Sequence, residues 1–177
     1  INSLCLNSIT EFMDEMLDLR EMYGERAPVM TLNILRFPSF QSAAILPEEI
    51  KSHYKERLEN WLWSERPQAL LDEGEKESVI RLIDYLDIVK TPHKNTAETP
   101  KLYNDFKSFF AQYDIRRDKD FASTFPGPLG DWFASLEADV PSEDDIKQRR
   151  IELVSIDRAG DPATTEAYDG GDDEHEK

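Results

Sequence analysis

Thiols are nearly missing from this sequence, which has one cysteine, Cys5. One thiol cannot form an internal disulfide, and that fits a reducing compartment. It also falls short of the roughly four thiolates that hold an iron–sulfur cluster. Cys5 therefore reads as a small buried apolar side chain on a strand. Long apolar runs are missing too: no stretch approaches the roughly 18 apolar residues that a membrane helix needs. The opening residues, Ile1 to Leu6, carry no basic segment and no cleavage-like site, so they are not a secretory signal. The chain starts without Met inside an apolar run, and it reads as a truncated cytoplasmic protein.

Positive charge is scarce. Lys and Arg number 21 against 37 Asp and Glu, a net charge of -16. The deficit deepens toward the end: from Glu137 to Lys177 there are 14 acidic and 5 basic residues, a net of -9. Such a field repels phosphate backbones and anionic bilayers, so neither nucleic acid nor a membrane is expected as a partner.

What remains is ordinary for a globular domain. The 177 residues are 39% apolar and 33% charged, enough for a real core. Asn2 to Leu6 read as a short buried strand. Ser8 and Glu11 form a capping-box pair. Ile9, Phe12, Met13, Met16, Leu17 and Tyr23 then recur at helical spacing up to Gly24, which tolerates positive φ. Val29 to Leu35, apolar nearly throughout, reads as a second strand covered on both faces. Pro47 opens a further helix with Ile50, Tyr54, Leu58, Trp61 and Leu62 as its apolar stripe.

The first 65 residues thus read as two βα units of a parallel sheet, each crossover long enough for a right-handed connection. Two strands make no stable sheet, so the neighbours are expected upstream or in another chain. Beyond Pro67 only helices are expected: Glu75 to Lys90, then an aromatic one after Thr99 and Pro100. A polar loop from Thr91 to Glu98 separates them. Tyr103, Phe106, Phe109, Phe110 and Tyr113 read as core packing. Two short helical turns flank Pro126-Gly127-Pro128. Ile146 to Ile156 could form one last element, and Gly160 to Lys177 reads as disordered.

The landmarks resemble phage and metagenome radical S-adenosylmethionine proteins with a twitch domain. The residues that carry the resemblance are Leu4-Cys5-Leu6-Asn7 with Phe12, Leu32 to Pro38 and Ile45-Leu46-Pro47. Tyr113 to Arg117 and Thr124-Phe125-Pro126 add to it. It spans about Ile1 to Leu136. It implies a partial (β/α) barrel with these two strands as its last, so the expected α/β organisation is the last two βα units of that barrel (1–65), then a helical C-terminal extension (66–136), and, from composition, an acidic, largely disordered tail (137–177). It also implies S-adenosylmethionine and a [4Fe–4S] cluster, with reductive cleavage to a 5′-deoxyadenosyl radical acting on a small molecule or peptide. The family's Cys-x₃-Cys-x₂-Cys cluster motif does not occur here, so the cluster ligands are expected upstream.

Ligands in parallel α/β folds sit at the C-terminal ends of strands. That rule selects Asn7 and Ser8 after the first strand, and Asn33, Arg36 and Ser39 after the second. Asn7 and Asn33 offer a donor and an acceptor to an adenine edge or ribose. Arg36 could clamp a carboxylate. Each also has a plain structural role open to it: turn residue, helix cap or surface ion pair. His53, His93 and His175 do not cluster as metal ligands do. Asp114, Arg116 and Arg117 close an aromatic helix, where cations suit the helix dipole. An alternative reading is a non-catalytic, acidic, mostly helical protein-interaction module. A third is another (β/α) barrel enzyme with its catalytic residues upstream.

Overall fold

The structure, a computed structural model, describes residues 1–88 and 98–148. Most of the predicted Thr91–Glu98 loop, most of the predicted element at 146–156, the predicted disorder at 160–177, His93 and His175 lie outside these residues, and Glu98, expected in the loop, starts a helix instead. The chain forms two compact units, Ile1–Val140 and Pro141–Lys177. In the second, residues 143–148 are helical and the Ser142 hydroxyl accepts the Asp145 N–H at 3.2 Å.

The first unit contains seven α-helices among its described residues: α1 (Ile9–Tyr23), α2 (Glu48–Leu62), α3 (Glu65–Leu70), α4 (Glu73–Ile88), α5 (Glu98–Arg117), α6 (Phe121–Thr124) and α7 (Pro128–Ser135). Helix α1 buries Ile9, Met13 and Leu17 and ends at Gly24, whose φ is 59°. Helix α2 buries Ile50, Tyr54, Leu58 and Leu62, against which α4 sets Val79, Leu82, Ile83 and Leu86. Of the aromatic face of α5, Phe106 and Phe110 are buried as expected and Tyr103 packs partly against the core, whereas Phe109 and Tyr113 are exposed. Phe106 meets Phe110 at 4.8 Å between ring centroids, and Phe121 stacks on Phe133 at 3.9 Å. Burying one such ring contributes roughly 1.5–3 kcal/mol. One apolar core runs from Leu6 to Phe133.

The α/β expectation is overturned. There is no strand among the described residues, so the last two βα units of a partial (β/α) barrel are not formed. At the first expected strand, the Asn2 side-chain oxygen accepts the N–H groups of Leu4 at 3.0 Å and Cys5 at 2.9 Å. This local turn winds Cys5–Ser8 into a 3₁₀ helix. The second expected strand is extended in character but has no sheet around it. Its side chains alternate: Val29, Thr31 and Asn33 are exposed, Met30 and Leu32 are buried. Helix α4 takes the place of a neighbouring strand. Met30 N–H donates to Glu75 Oε1 at 2.8 Å and Leu32 N–H to Ser78 Oγ at 2.9 Å. Side chains one helical turn apart thus replace a ladder of carbonyls.

One further contact touches this segment. The Ile1 carbonyl accepts the Leu35 N–H at 2.8 Å, and the Ile1 nitrogen donates to the Asn33 carbonyl. One residue bonded to both j−1 and j+1 of its neighbour is the parallel pattern, confined here to a single position.

The predicted capping box also fails. Ser8 is the N-cap residue of α1 but its side chain makes no cap bond. Glu11 turns to the Arg57 guanidinium of α2 at 3.0 Å. An ion pair between helices has displaced the local cap.

Candidate docking face and the predicted cofactor residues

Helix α1 carries more apolar surface than the core takes up. Phe12, Met16, Leu19 and Tyr23 follow one another at spacings of four, three and four, so they form a single stripe. Phe12 is 49% exposed, Met22 68% and Tyr23 51%, with Leu19 also exposed and Met16 partly buried against the core. Half of the apolar arc of α1 thus faces inward and half faces outward.

Carboxylates line one side of this stripe. Helix α1 holds Glu11, Asp14, Glu15, Asp18 and Glu21 against one guanidinium, Arg20. On the side toward α2 and α3 they are engaged: Glu11 with Arg57, Asp14 with the Trp61 indole N–H at 2.7 Å, and Asp18 and Glu21 with Arg66. Glu15 is exposed between Phe12, Leu19 and Met22.

Arg20 points the other way, into the unit, where it meets Glu75. The carboxylate of Glu75 is almost fully buried. It accepts from both terminal nitrogens of Arg20 and from the N–H groups of Met30 and Asp72. Burial pushes this carboxyl upward, but the Arg20 and backbone donors outweigh it and hold it below the usual carboxylate range. Beside this pair lies a cleft of about 430 Å³ lined by Arg20, Gly24, Glu25, Ala27, Val29 and Asp72. A second cleft of about 420 Å³ lies between Phe37–Phe40 and Lys101, Leu102 and Asp105 of α5.

The sequence-selected residues are not gathered into one site. The Asn7 side-chain oxygen accepts from the Tyr54 hydroxyl at 3.1 Å, and its carbonyl accepts from Arg57 at 3.0 Å. These bonds fasten the 3₁₀ turn to α2. Asn33 and Arg36 are exposed on the extended segment, and no hydrogen bond joins any two of the three. Neither cleft is lined by Asn7, Asn33 or Arg36. Ser39 starts a 3₁₀ turn, Ser39–Gln41, and its carbonyl accepts the Ser42 N–H at 3.2 Å.

Among the described residues no group of three or more His, Cys, Asp or Glu side chains could hold a metal ion. Cys5, expected to be buried on a strand, is instead exposed at the start of the 3₁₀ turn, and His53 is exposed on α2. No helix of the described residues is long and apolar enough to cross a membrane.

Asp114 has a role the sequence did not reveal. Its carboxylate accepts the Phe121 N–H at 2.7 Å and ties α5 to α6. Arg116 and Arg117 sit in the last turn of α5, where a cation was expected.

Comparison with known proteins yields no match to a family model, a curated protein or a solved structure.

Proposed function

We propose that this chain is a non-catalytic, acidic helical module that docks a basic amphipathic segment of another protein on the outer face of α1. The observation that carries the reading is the exposed stripe of Phe12, Leu19, Met22 and Tyr23. A water-facing row of this kind marks an interaction surface, and anchors spaced by three and four suit helix-on-helix recognition. Charge selects the partner. The stripe is rimmed by Glu15 and its neighbours on a chain of net charge -16, so lysine and arginine beside the partner's apolar face are favoured. The same charge disfavours a second copy of this chain, since like-charged rims would meet.

The test uses a synthetic amphipathic Lys/Leu helix and a Glu/Leu counterpart as probes, followed by fluorescence anisotropy. Binding of the first alone supports the reading. The double variant Leu19→Asp/Met22→Asp separates docking from loose charge attraction. Docking on the stripe predicts weaker binding, whereas attraction by charge alone predicts tighter binding because two acids are added. Equal binding of both probes, or tighter binding by the variant, would overturn the proposal.

A second reading keeps the S-adenosylmethionine enzyme, with this chain as an accessory region and the cluster bound elsewhere. One observation favours it: the parallel bonding of Ile1 to Asn33 and Leu35, which leaves Asn33 and Arg36 exposed at the far end of an extended segment. The check is anaerobic incubation of the gene's full product with S-adenosylmethionine and dithionite. Formation of 5′-deoxyadenosine supports this reading, and its absence from cluster-reconstituted protein ends it.

A further inference from the structure

The sequence has four methionines, Met13, Met16, Met22 and Met30. The fold sorts them by access to water. Met13 and Met30 belong to the buried core, and Met16 is partly buried against it. Met22, in the last turn of α1, is 68% exposed. It lies one helical turn after Leu19 and next to Tyr23, so its thioether belongs to the outer apolar face of α1.

We infer that the Met22 thioether is a modification site, oxidised reversibly to the sulfoxide by hydrogen peroxide, and that this oxidation releases the partner docked on α1. The release rests on the docking reading of that face. In the forward step a sulfur lone pair attacks one peroxide oxygen, and the S–O bond forms as the O–O bond breaks. The leaving hydroxide takes the proton carried on the transferred oxygen and departs as water. Sulfur gives up two electrons and peroxide accepts them. The return step needs a methionine sulfoxide reductase and two thiols: the thiols close to a disulfide and the oxygen leaves as water.

Three observations carry this. The first is access, since the oxidant must touch sulfur and reaches Met22 without any opening of the core. The second is charge. Hydrogen peroxide is neutral at physiological pH, so the carboxylates beside the stripe, Glu15 among them, do not repel it as they repel an anionic oxidant. The third is what the product does to the face. Oxidation turns a flexible apolar side chain into a polar one. The sulfoxide oxygen holds water, and an apolar partner laid over it strips that water without replacing the hydrogen bond. The one thiol, Cys5, precedes α1 and stands outside the stripe.

The test treats the full chain, in a Cys5→Ser background, with hydrogen peroxide and follows each methionine by peptide mass spectrometry. Met22 is expected to gain oxygen first and Met16 later, while Met13 and Met30 stay as thioethers in the folded protein. Oxidation of Met13 or Met30 as fast as Met22 would overturn the site. Binding of the Lys/Leu helix, which contains no methionine, is then read by anisotropy. Oxidation is expected to weaken it about tenfold, the scale of losing one buried apolar side chain. Sulfoxide reductase with dithiothreitol restores it. Met22→Leu makes binding insensitive to peroxide, and Met22→Gln binds as weakly as the oxidised chain. The melting temperature is expected to stay the same on oxidation. A fall that accompanies the lost binding would overturn the inference, because Met22 would then act through the fold. Unchanged binding after full oxidation of Met22 would overturn it too, with the docking reading intact. Failure of the unoxidised chain to bind the helix is instead the failure of that reading: the release falls with it, and the order of oxidation still decides the site.

Discussion

The Arg20 guanidinium of α1 grips the Glu75 carboxylate of α4 with both terminal nitrogens, the second at 2.8 Å, while the same carboxylate anchors the N–H of Met30. Three separate parts of the chain meet on one buried acid. Glu75 therefore acts as the hub of the unit's polar interior.

Glu75→Gln is expected to destabilise the protein by about 2–4 kcal/mol, the range for breaking a buried pair when the remaining cation keeps partial access to water. Urea unfolding measures it. A double-mutant cycle with Arg20→Met is expected to give a coupling of more than about 1 kcal/mol. Additive losses would show that the two residues act apart.

Stability is expected to fall in acid. The folded carboxyl of Glu75 lies below its unfolded value of 4.5. Its contribution is thus complete above that value and is lost as pH drops through the folded one. Thermal melts from neutral to about pH 3 follow this, and Glu75→Gln is expected to shrink the loss. Asp114 works in the opposite sense. Burial, with the nearby charge of Asp120, lifts its carboxyl above the ordinary range. Its ionised form costs stability at neutral pH, and acid relieves that cost. Asp114→Asn is expected to make the acid loss steeper.

Gly130→Ala is expected to cost about 1–3 kcal/mol, as overpacking does. A Cβ there would land on the Phe125 carbonyl oxygen and sit 3.1 Å from that of Ala122, both of them backbone atoms that cannot rotate aside. Helices α6 and α7 approach each other through this position. Calorimetry reads the change, and an unaltered melting temperature would refute the close approach.

Asn7 and Tyr54 supply a test of the cofactor assignment. Burial holds the Tyr54 phenol protonated, pushing its pKa up to about 12. The bond from its hydroxyl to Asn7 then survives through the physiological range. Asn7→Ala and Tyr54→Phe are each expected to cost about 1 kcal/mol, and the double variant little more than either alone. Loss of S-adenosylmethionine binding with unchanged stability would support Asn7 as a ligand residue.

Helices were the legible part of this sequence. The apolar stripe of α2, the buried Phe106 and Phe110 of α5 and the break at Pro126-Gly127-Pro128 are local patterns, and each appears where its spacing puts it. Gly127, at φ 84°, shows why that break needed a glycine. Strand identity was not legible, because extended chain looks alike whichever partner bonds it. The distinguishing signal lay far away, in Glu75 and Ser78, polar residues one turn apart on the inward face of α4. Leu4 to Leu6 failed for another reason. A three-residue apolar run has no period, and Asn2 beside it could bend the backbone by its own side chain. The site residues rested on those strands, and without them Asn7, Asn33 and Arg36 have no common floor. The outer stripe of α1 was visible in sequence, but Phe12, Met16 and Tyr23 share their spacing with the buried row, and only packing tells the two apart.

The hold of α4 on Met30 spans 45 residues of chain. Ribosomes add about 5–20 residues each second, so the emerging polypeptide carries Val29 to Leu35 unanchored for seconds before its support is made. Native order in the first third of the molecule is thus settled retroactively, by residues translated later.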